Sequence, residues 1–178
     1  YFLALRNAPP VEAGLIAYLW PLLIVLMSAL PPGEGLGWHH VVGALAGLAG
    51  TVMLVTGGGG FDFKSDYALG YAAAAACALV WSGYSVLSRR MADVSTNAVG
   101  GFCGATAILA LAAHLAFEQT VWPADILQWL AVAALGVGPV GAAFFLWDYG
   151  VKHGDIRVLG AASYAAPLLS TLLLVAFG

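Results

Sequence analysis

Few side chains in this sequence are equipped for bond-making chemistry, and their spacing joins none of them into a team. No paired carboxylates lie within an apolar stretch, no Ser or Cys stands beside a His as nucleophile and base, and no His, Cys, Asp and Glu share metal-ligand spacing. Cys77 and Cys103 sit singly inside apolar runs, as small packing residues do. Glu12 falls in the first turn after Pro9-Pro10, where a carboxylate complements the helix dipole, and Asp155 stands where a helix cap belongs. His39 and His40 open a helix at an interface, while His114 and Asp148 are read as solvated interfacial groups rather than a proton relay. Catalysis therefore has no machinery here, and no cofactor or metal is called for. A membrane enzyme would need polar groups gathered at one interface, which the sequence does not show.

The chemistry on offer is recognition by aromatic rings. Trp20 and Trp81 fall near the centres of apolar stretches, and a central indole N–H needs a partner because burying it unpaired is costly. Cys77, Trp81, Tyr84 and Ser88 follow helical spacing on one face, the pattern of a pore lining or of a helix–helix contact. Trp38, Tyr67, Trp122 and Trp129 lie near predicted helix ends, where amphipathic rings sit at headgroup level.

The elements that carry these residues follow from composition. The 178 residues are 62% hydrophobic and 8% charged, with a mean hydropathy of +0.92. Soluble domains carry roughly 25% charged residues, so this chain is expected in a bilayer, as an all-α multi-pass helical bundle. Six spans of about 20 residues each are predicted at 11–30, 38–57, 67–88, 98–117, 126–149 and 157–178, and residues 1–5 read as the tail of an earlier helix. Breakers mark the connections at Pro9-Pro10, Pro31-Pro32-Gly33-Glu34-Gly35, Gly57 to Gly60, and Gly154-Asp155. Arg6 and Lys64 fall on one side, and Arg89, Arg90, Lys152 and Arg157 on the other, which places the second side in the cytoplasm. A net charge of −3 gives no basis for a nucleic-acid partner. The lipid bilayer and a small-molecule substrate are the partners expected, and the oligomeric state stays open, a monomer included.

An internal repeat is the most informative feature. Gly14, Tyr18, Pro21, Leu22, Leu23 and Leu26 match Gly160, Tyr164, Pro167, Leu168, Leu169 and Leu172 at one constant offset, and Arg6 matches Lys152 at the same offset. The sixth span is thus the mate of the first, and one unit holds five helices. Five is odd, so the second copy enters the membrane the opposite way round, as in many secondary transporters. The expectation is inverted five-helix repeats, with about six helices present of ten, 1–60 holding the remainder of the first unit and 65–178 most of the second. Pro21 and Pro167 lie halfway along their spans and predict matched kinks, which serve as hinges or open a midplane cavity. Gly136-Val137-Gly138-Pro139 in the fifth span predicts either a broken helix, whose exposed dipoles hold the charged ends of a zwitterion, or a close helix contact. Gly43, Gly47, Gly100 and Gly104 have small-xxx-small packing spacing.

Phe145-Leu146-Trp147-Asp148-Tyr149-Gly150-Val151-Lys152, leading into Ala165-Ala166-Pro167-Leu168-Leu169, resembles the repeat of the drug/metabolite transporter superfamily, and within it the EamA-like ten-helix exporters. Tyr1-Phe2-Leu3-Ala4-Leu5-Arg6-Asn7-Ala8-Pro9 has the same form, and Gly43 to Gly57 resembles the glycine-rich helix closing the first half. Ala17-Tyr18-Leu19-Trp20-Pro21-Leu22 is most similar to the aromatic amino acid exporters of YddG type. The resemblance implies export of amino acids and related metabolites across a bacterial inner membrane, with Trp20 and Trp81 as cavity walls and Tyr1 as a third. Tyr18, Tyr84 and Tyr164 complete the candidate substrate-binding set. A passive channel and a carrier of nucleotide sugars or sugar phosphates remain as alternatives; the latter cargo needs Lys or Arg at a helix centre, and these spans have none.

Overall fold

The computed structural model describes residues 1–30, 35–60 and 62–177, so the breaker Pro31-Pro32-Gly33-Glu34 lies outside the described residues. Among the described residues every regular element is helical, and six helical stretches are long and apolar enough to cross a membrane: Pro10–Met27, Trp38–Thr56, Ser65–Arg90, Ala98–Phe117, Ile126–His153 and Ile156–Ala176. A short helix α1 (Phe2–Asn7) precedes them.

The first span is two helices, α2 (Pro10–Ala17) and α3 (Trp20–Met27), separated by a tight turn at Tyr18-Leu19. Pro21 has no N–H to give the Ala17 carbonyl, so the helix ends and restarts with proline in the first turn, where a missing donor costs nothing. The span is therefore broken rather than merely kinked. The second span is α4 (Trp38–Thr56), closed by Gly57 in the left-handed conformation at φ +61°, whose neighbour Gly58 gives its N–H to Met53 at 3.1 Å. The third is α5 (Ala68–Arg90) and the fourth α6 (Ala98–Phe117). The sixth is α9 (Ile156–Ala162) followed by α10 (Ala165–Phe177), interrupted at Ser163-Tyr164 just before Pro167. The two breaks fall at matching places in the repeat.

The fifth span corrects an expectation. α7 (Ile126–Leu135) and α8 (Ala143–His153) are joined without interruption by a π-helical stretch, Gly136–Ala142, containing Pro139. Widening the turn keeps the backbone bonded across the proline, so Gly136, Gly138 and Pro139 leave no broken end with which to hold a zwitterion. The helix runs on to His153, and Asp148 within it is buried, not solvated as expected.

The bundle packs through small side chains. Gly70, Ala74, Ala78, Ser82, Ser85 and Ser88 form the buried stripe of α5, against which α1, α2 and α3 lie, while Leu79, Val80 and Leu87 point outward. Without a hydrophobic drive between helices in lipid, close backbone approach supplies the attraction. α3 lies on α9. Tyr164 meets Tyr18 and Leu22, Gly160 meets Pro21, Ile24 and Val25, and Arg157 bonds the Gly35 carbonyl. One span ascends in number as the other descends, so they run in opposite senses. Among the four glycines spaced for packing, Gly47 faces the Tyr164 ring with no room for a Cβ (2.7 Å) and Gly100 faces Phe145 (3.5 Å), whereas Gly43 and Gly104 face open space.

Asp155 caps α9 as expected, accepting from the Arg157 N–H at 2.9 Å and from its guanidinium at 3.0 Å. The Arg157 side-chain hydrogen bond holds the Asp155 carboxyl well down, at about 2. A depressed folded value means the cap stabilises above the unfolded carboxylate value of about 4 and loses its effect as pH falls toward about 2. Asp155→Ala is expected to lower unfolding stability in detergent by about 1 kcal/mol at neutral pH, with the difference from the parent protein vanishing through that acid window.

Candidate functional site

Three tryptophans from three spans meet at mid-depth. Trp20 opens α3, Trp81 lies in the middle of α5, and Trp147 in α8. Trp20 stands edge-on to both others, with ring centroids 6.3 Å from Trp81 and 5.4 Å from Trp147, and Trp81 and Trp147 are 5.9 Å apart and tilted by 31°. Phe144 and Tyr84 extend the group, at 5.4 Å and 5.5 Å from Trp81. These are favoured edge-to-face and offset geometries.

Serines of α5 hold the rings. The Trp147 indole N–H donates to Ser85 Oγ at 3.0 Å, and Ser85 in turn donates to the Trp81 carbonyl at 2.9 Å. Ser82 Oγ lies 3.0 Å from the Trp20 carbonyl, so α5, which carries Trp81, holds the Trp20 backbone and the Trp147 ring. Among the described residues, no hydrogen bond engages the indole N–H of Trp20 or Trp81.

A cavity of about 460 Å³ rests on this aromatic floor, walled by Ala17, Cys77, Ala78, Ala143 and Phe144, a size in the roughly 300–1,000 Å³ range of small-molecule sites. Ala17, Cys77 and Ala143 each precede the tryptophan of their own span, and all three spans run the same way, so the cavity lies on the Arg6 and Lys64 side of the rings. Its walls carry no charged side chain. Ala17 lines the cavity, and its carbonyl, whose helical donor would have been the N–H that Pro21 lacks, has no hydrogen-bond partner among the described residues. A second cavity of about 560 Å³ continues from Trp81, Tyr84 and Phe144 to Cys103 and Thr106 of α6.

Beneath the floor, on the Arg89 and Lys152 side, lies a buried ion pair. Asp148 and Lys152 are 2.7 Å apart, with side chains only 2% and 5% exposed. Asp148 also accepts from Ser88 and, at 2.8 Å, from Thr96, and Lys152 donates to the Val94 carbonyl at 2.8 Å. Arg89 adds bonds to the Val151 and Gly154 carbonyls at 3.0 and 2.6 Å. Both carboxylate oxygens and the ammonium are hydrogen-bonded, which is the condition for tolerating a buried pair.

Of the sequence candidates, Trp20, Trp81 and Tyr84 come together, with Cys77 on the same wall. Tyr1 does not join them: it caps α1, half-exposed, with its hydroxyl beside Gly14. Tyr18 and Tyr164 lie on the other face of the first span, in a cluster with Val25 and Ala44. There the Tyr164 hydroxyl donates to the Tyr18 carbonyl at 3.1 Å and accepts the Leu22 N–H at 3.2 Å. Trp147 and Phe144 were missed as site residues, though their i, i+3 spacing, with Trp147 the repeat mate of Tyr1, was the available signal.

Lys152→Met leaves Asp148 buried and unpaired, and is expected to destabilise the protein by about 3–5 kcal/mol. Pairing it with Asp148→Asn should recover most of that loss, as read by thermal unfolding in detergent.

The chain spans about three fifths of the length of the curated relatives it matches. It is 63% identical, over all of its own length and 62% of the relative's, to the aromatic amino acid exporter YddG of Ancylobacter novellus. Identity to the exporters of that name is 29% in Salmonella typhimurium, over 92% of this chain and 57% of the relative, and 25% in Escherichia coli, with the same shares. A crystal structure 63% identical superposes with a TM-score of 0.95, over 99% of this chain and 62% of that one. Residues 1–56 and 68–178 match the EamA-like transporter family, and this chain belongs to that family.

Proposed function

We propose that this chain forms the substrate cavity of an alternating-access carrier that exports amino acids with aromatic or other apolar side chains across a bacterial inner membrane. The observation that carries the reading is a neutral, tryptophan-floored cavity beside a broken helix. An apolar side chain packs on Trp20, Trp81 and Trp147, burying its surface against aromatic faces. The unengaged indole N–H groups of Trp20 and Trp81 are donors for the carboxylate. The Ala17 carbonyl, at the negative end of α2, and the ring faces around it are acceptors for the ammonium. The names of the three relatives agree with such cargo.

The basic residues Arg89, Arg90, Lys152 and Arg157 favour the cytoplasm for the end beyond the ion pair, which supports a cavity lying toward the outer side. The antiparallel first and sixth spans support two inverted units, 1–60 and 65–178, meeting at their paired breaks. A phosphorylated or nucleotide-linked cargo is disfavoured by a lining without Lys or Arg. A passive channel is the remaining alternative, separable by kinetics.

The full-length protein in liposomes is expected to show saturable uptake of labelled tryptophan that is accelerated by unlabelled tryptophan on the far side. Trp20→Ala together with Trp81→Ala should raise the half-saturating concentration at least about tenfold, as two aromatic contacts of about 1 kcal/mol each allow. Flux that never saturates would favour the channel, and saturable flux indifferent to both substitutions would remove the site.

A further inference from the structure

We propose that Tyr164 and Tyr18 are paired positioning residues that take turns, Tyr164 clamping the break of the first span when the cavity faces one side, and Tyr18 clamping the break of the sixth span when it faces the other. In an unbroken helix the Leu22 N–H would bond the Tyr18 carbonyl. Here the Tyr164 phenol is inserted between them, accepting from one and donating to the other. In lipid these two groups have no water to turn to, so the inserted hydroxyl completes the backbone of the broken span and ties it to the sixth. It does so where α3 lies on α9 and closes that end of the crossing.

Tyr18 and Leu22 are the repeat mates of Tyr164 and Leu168. The corresponding place in the sixth span, between the Tyr164 carbonyl and the Leu168 N–H, receives no hydroxyl among the described residues, and the Tyr18 hydroxyl is itself without a hydrogen-bond partner there. Tyr18 already packs in the same cluster as Tyr164. A space of about 610 Å³ lies between α4 and the sixth span, bordered by Gly47, Thr51, Tyr164 and Leu168, and Thr51 Oγ is buried and unbonded beside it. α10 thus has room to move where α9 has none. Exchanging the roles of the two spans puts the Tyr18 hydroxyl between Tyr164 and Leu168 and packs α10 on α2. One end of the crossing opens as the other closes, and each state is completed by one tyrosine.

This inference rests on the alternating-access reading, and the test separates the two. Cys77 lines the cavity, so in a Cys103→Ala background its rate of reaction with a membrane-impermeant maleimide applied from outside reports the outward-open population. Tyr164→Phe removes both bonds of the bridging hydroxyl and is expected to shift the equilibrium about fivefold away from the outward-open state, slowing labelling from outside, while Tyr18→Phe shifts it the other way and slows labelling from inside. The double variant should return toward the parent rate in both directions, which loss of packing or folding would not produce. Saturable exchange by the parent protein, with both single variants shifting labelling in the same direction or not at all, overturns the tyrosine exchange alone. A parent protein without saturable exchange overturns the carrier reading and this inference with it.

Discussion

In hydrocarbon a backbone N–H or C=O must find a partner inside the protein, and Pro21 breaks that rule in the middle of the first span. The proline withholds the donor that the Ala17 carbonyl needs, and the turn beside it separates the Leu22 N–H from the Tyr18 carbonyl. The architecture follows from how those groups are repaired. One pair is bridged by the Tyr164 hydroxyl, which requires the sixth span to cross the first at that depth. The crossing in turn requires glycine at position 160, against Pro21, Ile24 and Val25 at 3.2 Å, and at position 47, against the Tyr164 ring. The other group, the Ala17 carbonyl, is left without a partner among the described residues, at a residue that lines the cavity. The break at Pro21 thus goes with both a contact between the first and sixth spans and an unbonded acceptor beside an apolar cavity.

Charge is distributed to the same end. The cavity is lined with rings and small side chains, while the buried ion pair of Asp148 and Lys152 sits one helical step beyond Trp147. Adjacent residues of α8 consequently serve opposite purposes, Trp147 flooring the site and Asp148 binding α5 and the 91–97 turn through Ser88 and Thr96. Placing the pair outside the cavity keeps its field satisfied locally. The cavity is left neutral, which suits a zwitterion better than a net anion.

Much of this was legible in the chain. Apolar runs placed all six spans within a few residues, because length and hydropathy are local properties that a bilayer reads directly. The repeat of Gly, Tyr and Pro foretold two matched interruptions and an antiparallel pair. Trp20 and Trp81 were recognisable as rings too deep for an interface, and Tyr84 by its place on one helical face with Trp81. The fifth span was not legible, since glycines around a proline are compatible with a break, a tight contact or a widened turn, and only continuous backbone bonding through Gly136–Ala142 selects the last.

What the sequence determined alone was the solvent, the number of crossings and the positions where helices must yield, because each depends on residue type and spacing along one segment. The tertiary structure decided which exposed-looking groups became partners. Asp148 is buried because Ser88 and Thr96, 60 and 52 residues away, come to it. Tyr164 is a backbone clamp because its hydroxyl reaches a carbonyl 146 residues away. Trp147 joins the ring cluster and Tyr1 does not, although they are repeat mates, because Trp147 bonds Ser85 of α5 while the Tyr1 hydroxyl lies beside Gly14. Such pairings arise from how helices cross, and no local pattern encodes a crossing.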